Sequence, residues 1–188
     1  MNLRLITAPT EEPVSTETAK LHLRVDGTAD DTLVAAYLKA ARELGEGLAR
    51  RAFVTQTLEL VIDAWPSNGI LKLPRPPLQS VTSIKYLDSD EVEHTLSSDN
   101  YVVDARSEPG RIMFKSTPSA ALSESGAIAV RFVAGYGAAS TVPAVFVQGV
   151  LLSVAHWYEN REAAMPMTLT EIPLGVKPLF MSDRGSWF

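Results

Sequence analysis

The stretch Val130–Glu159, VRFVAGYGAASTVPAVFVQGVLLSVAHWYE, decides the fold. Its opening residues read as the end of a strand, Gly135-Tyr136-Gly137 interrupts them, and Thr141-Val142-Pro143 restarts the chain as a helix, because proline suits a first helical turn. A helix is expected from Pro143 to about Arg161, roughly 30 Å long at about 1.5 Å per residue. Apolar residues (Val145, Phe146, Val147, Val150, Leu151, Leu152, Val154, Ala155, Trp157, Tyr158) wrap most of its circumference and leave a small or polar stripe of Gln148, Gly149, Ser153, His156 and Asn160. A helix apolar nearly all round is buried. Two ways of burying it are open: in the core of one monomer, or against a neighbouring subunit, as in obligate oligomers whose interfaces resemble a core cut in half. A bilayer span is disfavoured, since Pro143, Gln148, Ser153 and His156 keep the run short of the roughly 18 uninterrupted apolar residues that a membrane requires.

Upstream of this stretch the hydrophobic period is two. Val54, Gln56, Leu58, Leu60 and Ile62 alternate with Thr55, Thr57, Glu59, Val61 and Asp63, a strand pattern dense in β-branched residues. Ile70–Leu73 returns as a short strand after the Trp65–Gly69 turn, and Pro74-Arg75-Pro76-Pro77-Leu78 is an extended connector. Val81–Leu87 and Val92–Leu96 form a hairpin about Asp88-Ser89-Asp90-Glu91, Tyr101–Asp104 pairs with Arg111–Phe114 across Glu108-Pro109-Gly110, and Ile128–Ala134 closes the sheet.

The N-terminal part is helical. After a short apolar run at Leu3–Ile6, Ser15 caps a first helix that runs to about Arg24 and buries Leu21 and Val25, with Leu23 a further candidate. Asp30 and Asp31 start a second that reaches about Arg51, with Leu33, Val34, Tyr37, Leu38, Ala41, Leu44 and Leu48 on one stripe and Lys39, Arg42, Glu43, Glu46 and Arg50 opposite. Gly45 and Gly47 cost about 1 kcal/mol each relative to alanine. They mark either a close approach by another backbone or a weak helix end. Beyond the long helix, Pro166, Pro173, Pro178 and Gly175 lie among Leu174, Val176, Leu179, Phe180, Trp187 and Phe188. Too broken for a long helix and too apolar for a solvated tail, this segment is expected to order against a partner.

With 188 residues, 46% hydrophobic and 21% charged, the chain is ordinary globular material. A net charge of −5 argues against a protein that grips nucleic acid through phosphates, but suits a surface that DNA slides past. The absence of cysteine excludes disulfides, thiol catalysis and cysteine-ligated zinc. Met1–Thr10 does not resemble a signal peptide, so synthesis in the cytoplasm is expected.

Chemistry-bearing patterns are few. Asp88, Asp90, Glu91 and Glu93 could attract a hard cation but lack the glycine and closing glutamate of a calcium loop, so a solvated hairpin tip is the better reading. His156 and Glu159 share a helix face, yet no second histidine stands near them. Gly135-Tyr136-Gly137 has no phosphate-loop spacing, and no G-x-S-x-G elbow occurs. The expectation is no catalytic, metal or cofactor-binding residue.

The assembled pattern is more telling than any motif. Two N-terminal helices precede Leu73-Pro74-Arg75-Pro76-Pro77-Leu78-Gln79-Ser80-Val81, Tyr101-Val102-Val103-Asp104, Glu108-Pro109-Gly110-Arg111, Val130–Gly137 and His156-Trp157-Tyr158-Glu159-Asn160-Arg161. In this order the chain resembles the tailed-phage head-tail connectors (gp6-like and phiE125 gp8-like adaptor families) from Leu3 to about Glu162. The resemblance implies an α+β fold: a helical core of two N-terminal helices plus a long C-terminal helix, an inserted antiparallel β-rich subdomain, and an extended C-terminal tail. The divisions expected are 1–52, 53–137, 138–164 and 165–188. It further implies a non-enzymatic virion protein at the head–tail interface, without cofactors or membrane. Copies would form a ring, a dodecamer, beneath the portal protein, with double-stranded DNA passing unbound through the lumen and a downstream stopper or tail protein docking below. Phe146, Val150, Val154, Trp157 and Tyr158 are the subunit-interface candidates, and Leu174, Val176, Leu179 and Phe180 the portal-docking candidates. The alternatives are a tail-completion or stopper protein and, from another class, a small metal-binding protein or enzyme using Asp88–Glu93.

Overall fold

The computed structural model describes residues 1–119, 121–160 and 175–184. The fold is α+β, and the chain divides into two compact units, one of strands and one of helices.

The strand unit comprises Met1–Pro9 and Thr55–Gly135. Its larger sheet has the order β1 (Asn2–Thr7), β2 (Gln56–Ile62), β8 (Ile128–Ala134), β4 (Leu78–Leu87) and β5 (Glu93–Thr95), every pair antiparallel. A second sheet holds β3 (Ile70–Lys72), β7 (Arg111–Phe114) and β6 (Tyr101–Asp104). The two-residue period settles which face is buried: Gln56, Leu58, Leu60 and Ile62 of β2 point inward, as do Ile128, Val130, Phe132 and Ala134 of β8. Leu71 and Ile112 supply the smaller sheet's share of the buried set. Three expectations are corrected. Leu3–Ile6 belongs to β1 of this unit, paired with Leu58–Leu60 of β2, and not to the helical part. Ile128–Ala134 sits mid-sheet between β2 and β4, the place its fully buried alternate residues require, and not at an edge. The strands form two sheets, with β4 beginning at Leu78.

The helical unit comprises Thr10–Val54 and, among the described residues, 136–160 and 175–184. Ser15 caps α1 (Thr16–Leu23), its hydroxyl accepting from the Thr18 N–H at 3.2 Å. The inward face is Ala19 and Leu23, four residues apart, whereas Leu21 is turned away and 80% exposed, contrary to expectation. In α2 (Asp31–Ala49) Val34, Leu38 and Ala41 enter the core as expected, Ala49 joins them from outside the expected stripe, and Arg50 ends the helix in the left-handed conformation. Arg42 and Glu46, assigned by pattern to solvent, are buried. Pro143 precedes α3 (Ala144–Glu159), one turn shorter than its apolar run suggested.

The largest correction concerns the C-terminal segment. Far from waiting for a partner, 175–184 includes a short helix, α4 (Val176–Met181), whose Val176 and Phe180 are fully buried in the helical core with Val34, Leu38, Phe53, Phe146, Val150 and Val154. Pro178 fits because it lies in the first turn, where its missing N–H has no helical acceptor to forgo. Leu174, Trp187 and Phe188 lie outside the described residues.

Candidate functional site

The face of α3 that turns inward is not the large apolar one alone. Gly149 and Ser153, read from sequence as part of a polar stripe, are among its most buried residues, with the Ser153 hydroxyl donating to the Gly149 carbonyl at 2.8 Å. A Cβ on Gly149 would lie 2.7 Å from the Phe180 ring, and one on Gly45 of α2 would lie 2.5 Å from it. The two glycines together form a socket for that ring. Gly45 is thus a close approach by an aromatic side chain and not by a backbone, while nothing lies within 4 Å of a Cβ on Gly47. Phe180 stacks on Phe53 with centroids 6.1 Å apart, Phe53 on Phe146 at 4.6 Å, and Tyr136 tilts against Phe146 at 6.2 Å.

Charged side chains lock the same core. Arg42 donates through Nε to Glu12 at 2.7 Å and through Nη1 to Glu46 at 3.1 Å, and the other Glu46 oxygen accepts from the Phe53 N–H at 2.8 Å. Burial opposes the Arg42 charge, but the Glu12 hydrogen bond and the charges of Glu46, Glu12 and Glu43 outweigh it and hold the guanidinium above its ordinary pKa. Arg51, also buried, donates to the Asp183 carbonyl at 2.6 Å and to its carboxylate at 2.8 Å, fastening the residues after α4 to the end of α2. Glu11 accepts from the Ala139 N–H at 2.8 Å. These tethers were not visible in the sequence, because an (i, i+4) Arg–Glu pair reads as an exposed helix face unless its burial is known.

Of the five residues expected at a subunit interface, Phe146, Val150 and Val154 are fully buried within the chain's own helical unit. Trp157 and Tyr158 are half-buried. Trp157 sits 6.0 Å from Tyr37, and the Tyr158 hydroxyl donates to Asp30. Val147, Leu151 and Leu152 are likewise half-buried. Of the four portal-docking candidates, Val176 and Phe180 are core residues, Leu179 is half-buried, and Leu174 is outside the described residues.

The acidic hairpin is occupied with its own turn. Asp88 accepts from the N–H groups of Asp90 and Val92, each at 3.0 Å, and lies 2.7 Å from His94. The His94 hydrogen bond, then that of the Val92 N–H, keeps its carboxyl below the usual range. Glu93 pairs with Lys85 at 2.6 Å. Among the described residues no group of three or more acidic or histidine side chains is placed to hold a metal ion. His156 is bonded along its own helix to Asn160. Gly135 and Gly137, at φ of 123° and 125°, make the turn that leaves β8, where side-chain-bearing residues would be strained. No helix among the described residues is long and apolar enough to cross a membrane.

The aromatic socket and the buried ion pairs hold together the helical half of an α+β fold. Solved structures with the same fold come from gene transfer agent particles. The chain is similar to a chain in the neck of an empty gene transfer agent particle computed with C6 symmetry: 26% identity, TM-score 0.79, covering 98% of this chain and 95% of that one. The same values hold for the virion of the native gene transfer agent particle. For the native neck computed with C12 symmetry they are 25% identity and TM-score 0.72 over the same coverage. The chain therefore has, along nearly its whole length, the fold of a virion neck component. No protein-family model and no curated protein matches it.

Proposed function

We propose that this chain is a head-tail connector, an adaptor, in a phage-like particle. Copies assemble as a ring, dodecameric, beneath the portal protein, and double-stranded DNA passes through the lumen. The far side of the ring is the platform for the next head-completion or tail protein. The observation that carries this reading is the likeness over 98% of the chain to neck structures, one of them computed with C12 symmetry. Two features of the chain agree with it. Its net charge of −5 lets DNA slide without the phosphate neutralisation that would retain it. The half-buried residues of α3, among them Leu151, Leu152, Trp157 and Tyr158, leave apolar surface for a neighbour, so the subunit interface falls on these and not on Phe146, Val150 or Val154.

Deletion of the gene tests the reading. DNA-filled heads without attached tails should accumulate, and purified protein added to them should restore joining. Heads that still acquire tails would reject the adaptor role. Saturable binding of calcium or magnesium at Asp88–Glu93 in calorimetry would favour the metal-binding alternative.

A further inference from the structure

We propose that the five-stranded sheet is continued from copy to copy, the β1 edge of one chain docking beside the β5 edge of the next. This rests on the ring reading above and names one surface through which the ring closes. Edge strands present unpaired N–H and C=O groups, and proteins ordinarily blunt them with charges, prolines or very short strands. β1 has six residues, carries Arg4 as its one charge and has no proline. All of it except Leu3 is exposed, with Leu5 51% and Ile6 41% exposed. Only a bulge between Leu5 and Thr7 interrupts its pairing. At the opposite margin of the same sheet β5 is only three residues long and its Glu93 is paired with Lys85, but the turn that leads into it exposes Asp90, Glu91 and Val92, the last 51% exposed.

The charges select the occupant. Arg4 lies in register with Glu59, but Glu59 is held by Arg131 at 2.9 Å, and among the described residues Arg4 makes no ion pair. Asp90 and Glu91 make none either. One sheet therefore has a basic, apolar edge and an acidic, apolar edge. A second copy of the chain satisfies both at once, head to tail, the heterologous arrangement that closes into a ring when the rotation closes. Pairing β1 with β1 would bring two Arg4 side chains to one seam and leave the acidic edge unused. Five strands, each antiparallel to its neighbours, leave the two edges running in the same direction. The junction between copies rotated about an axis along the strands is then parallel.

The chain has no cysteine, so introduced thiols report cleanly. Asn2 and Thr95 are both exposed, and their register partners place them on the same face of the sheet. The full-length chain carrying Asn2→Cys and Thr95→Cys, with Arg4 intact and oxidised at ring-forming concentration, should give a ladder of covalent oligomers on a denaturing gel, whereas each single variant gives at most dimers. Separately, Leu5→Lys should raise the concentration needed for assembly at least tenfold while leaving the melting temperature unchanged. Rings that yield no ladder, together with Leu5→Lys assembling as the parent does, would overturn this inference and leave the ring reading standing. A chain that stays monomeric at every concentration, alone and on heads, would overturn the ring reading and this inference with it.

Discussion

Replacing Phe180 by alanine tests the reassignment of the C-terminal segment from docking arm to core. The ring is fully buried, stacked on Phe53, and seated against Gly45 and Gly149. Removing a phenylalanine ring from a packed core costs about 3–5 kcal/mol, the larger values arising where the surroundings cannot collapse into the cavity. Two walls of this socket are glycine backbone, with no side chain to rearrange into the space, so a loss of about 4 kcal/mol is expected. Equilibrium unfolding in urea, with an unchanged denaturant slope, measures it. The complementary variant Gly149→Ala places a Cβ 2.7 Å from the same ring and should cost about 1–3 kcal/mol by overpacking. The two changes share one contact, so the double variant should be more stable than the sum of the singles predicts, by about 1 kcal/mol or more. A loss below about 1 kcal/mol for Phe180→Ala, or strict additivity in the double variant, would refute the socket.

Other expectations follow from neighbouring contacts. Arg42→Ala should destabilise by about 3–5 kcal/mol in the same assay, because it strips the buried Glu46 of its counter-charge. Trp157→Ala should cost about 2 kcal/mol, less than a fully buried tryptophan, since the ring is half-buried against Tyr37. Asp104 is held at about 2 by the Ser107 hydroxyl and N–H and then by the Arg111 guanidinium and the Arg106 N–H. Its folded value lies below the unfolded value of about 3.9, so its contribution is complete above that pH and is lost as pH falls through about 2. Asp104→Asn should therefore flatten that part of the acid limb in melts taken from about pH 5 down to pH 2.

Much of the strand unit was legible because its signal is local. Gln56–Ile62 and Ile128–Ala134 alternate so regularly that their strand character follows from period alone, and the pairing of Tyr101–Asp104 with Arg111–Phe114 follows from the turn between them. The order of strands does not follow from periodicity. Nothing in Leu3–Ile6 says that it pairs with residues more than fifty positions away, and nothing in Ile128–Ala134 says whether it lies at the centre or the edge of a sheet. In the helical unit the long apolar helix was evident, but its inward face was not. Two small residues, Gly149 and Ser153, are buried because Phe180, distant in sequence, packs over Gly149. The same long-range contact disguised residues 175–184 as a tail: prolines and scattered apolar residues describe a segment that cannot fold alone, and do not distinguish a partner from the chain's own core. Arg42 and Glu46 were assigned to solvent by charge, although burial with a third partner, Glu12, is equally consistent with their spacing.

The most direct test of the central claim is cryo-electron microscopy of the intact particle's neck. This chain is expected to occupy a ring of cyclic symmetry at the head vertex, between portal and tail, with α4 packed on α2 and α3 of its own copy. Density that placed the chain in the tail, or a neck complete without it, would contradict the account.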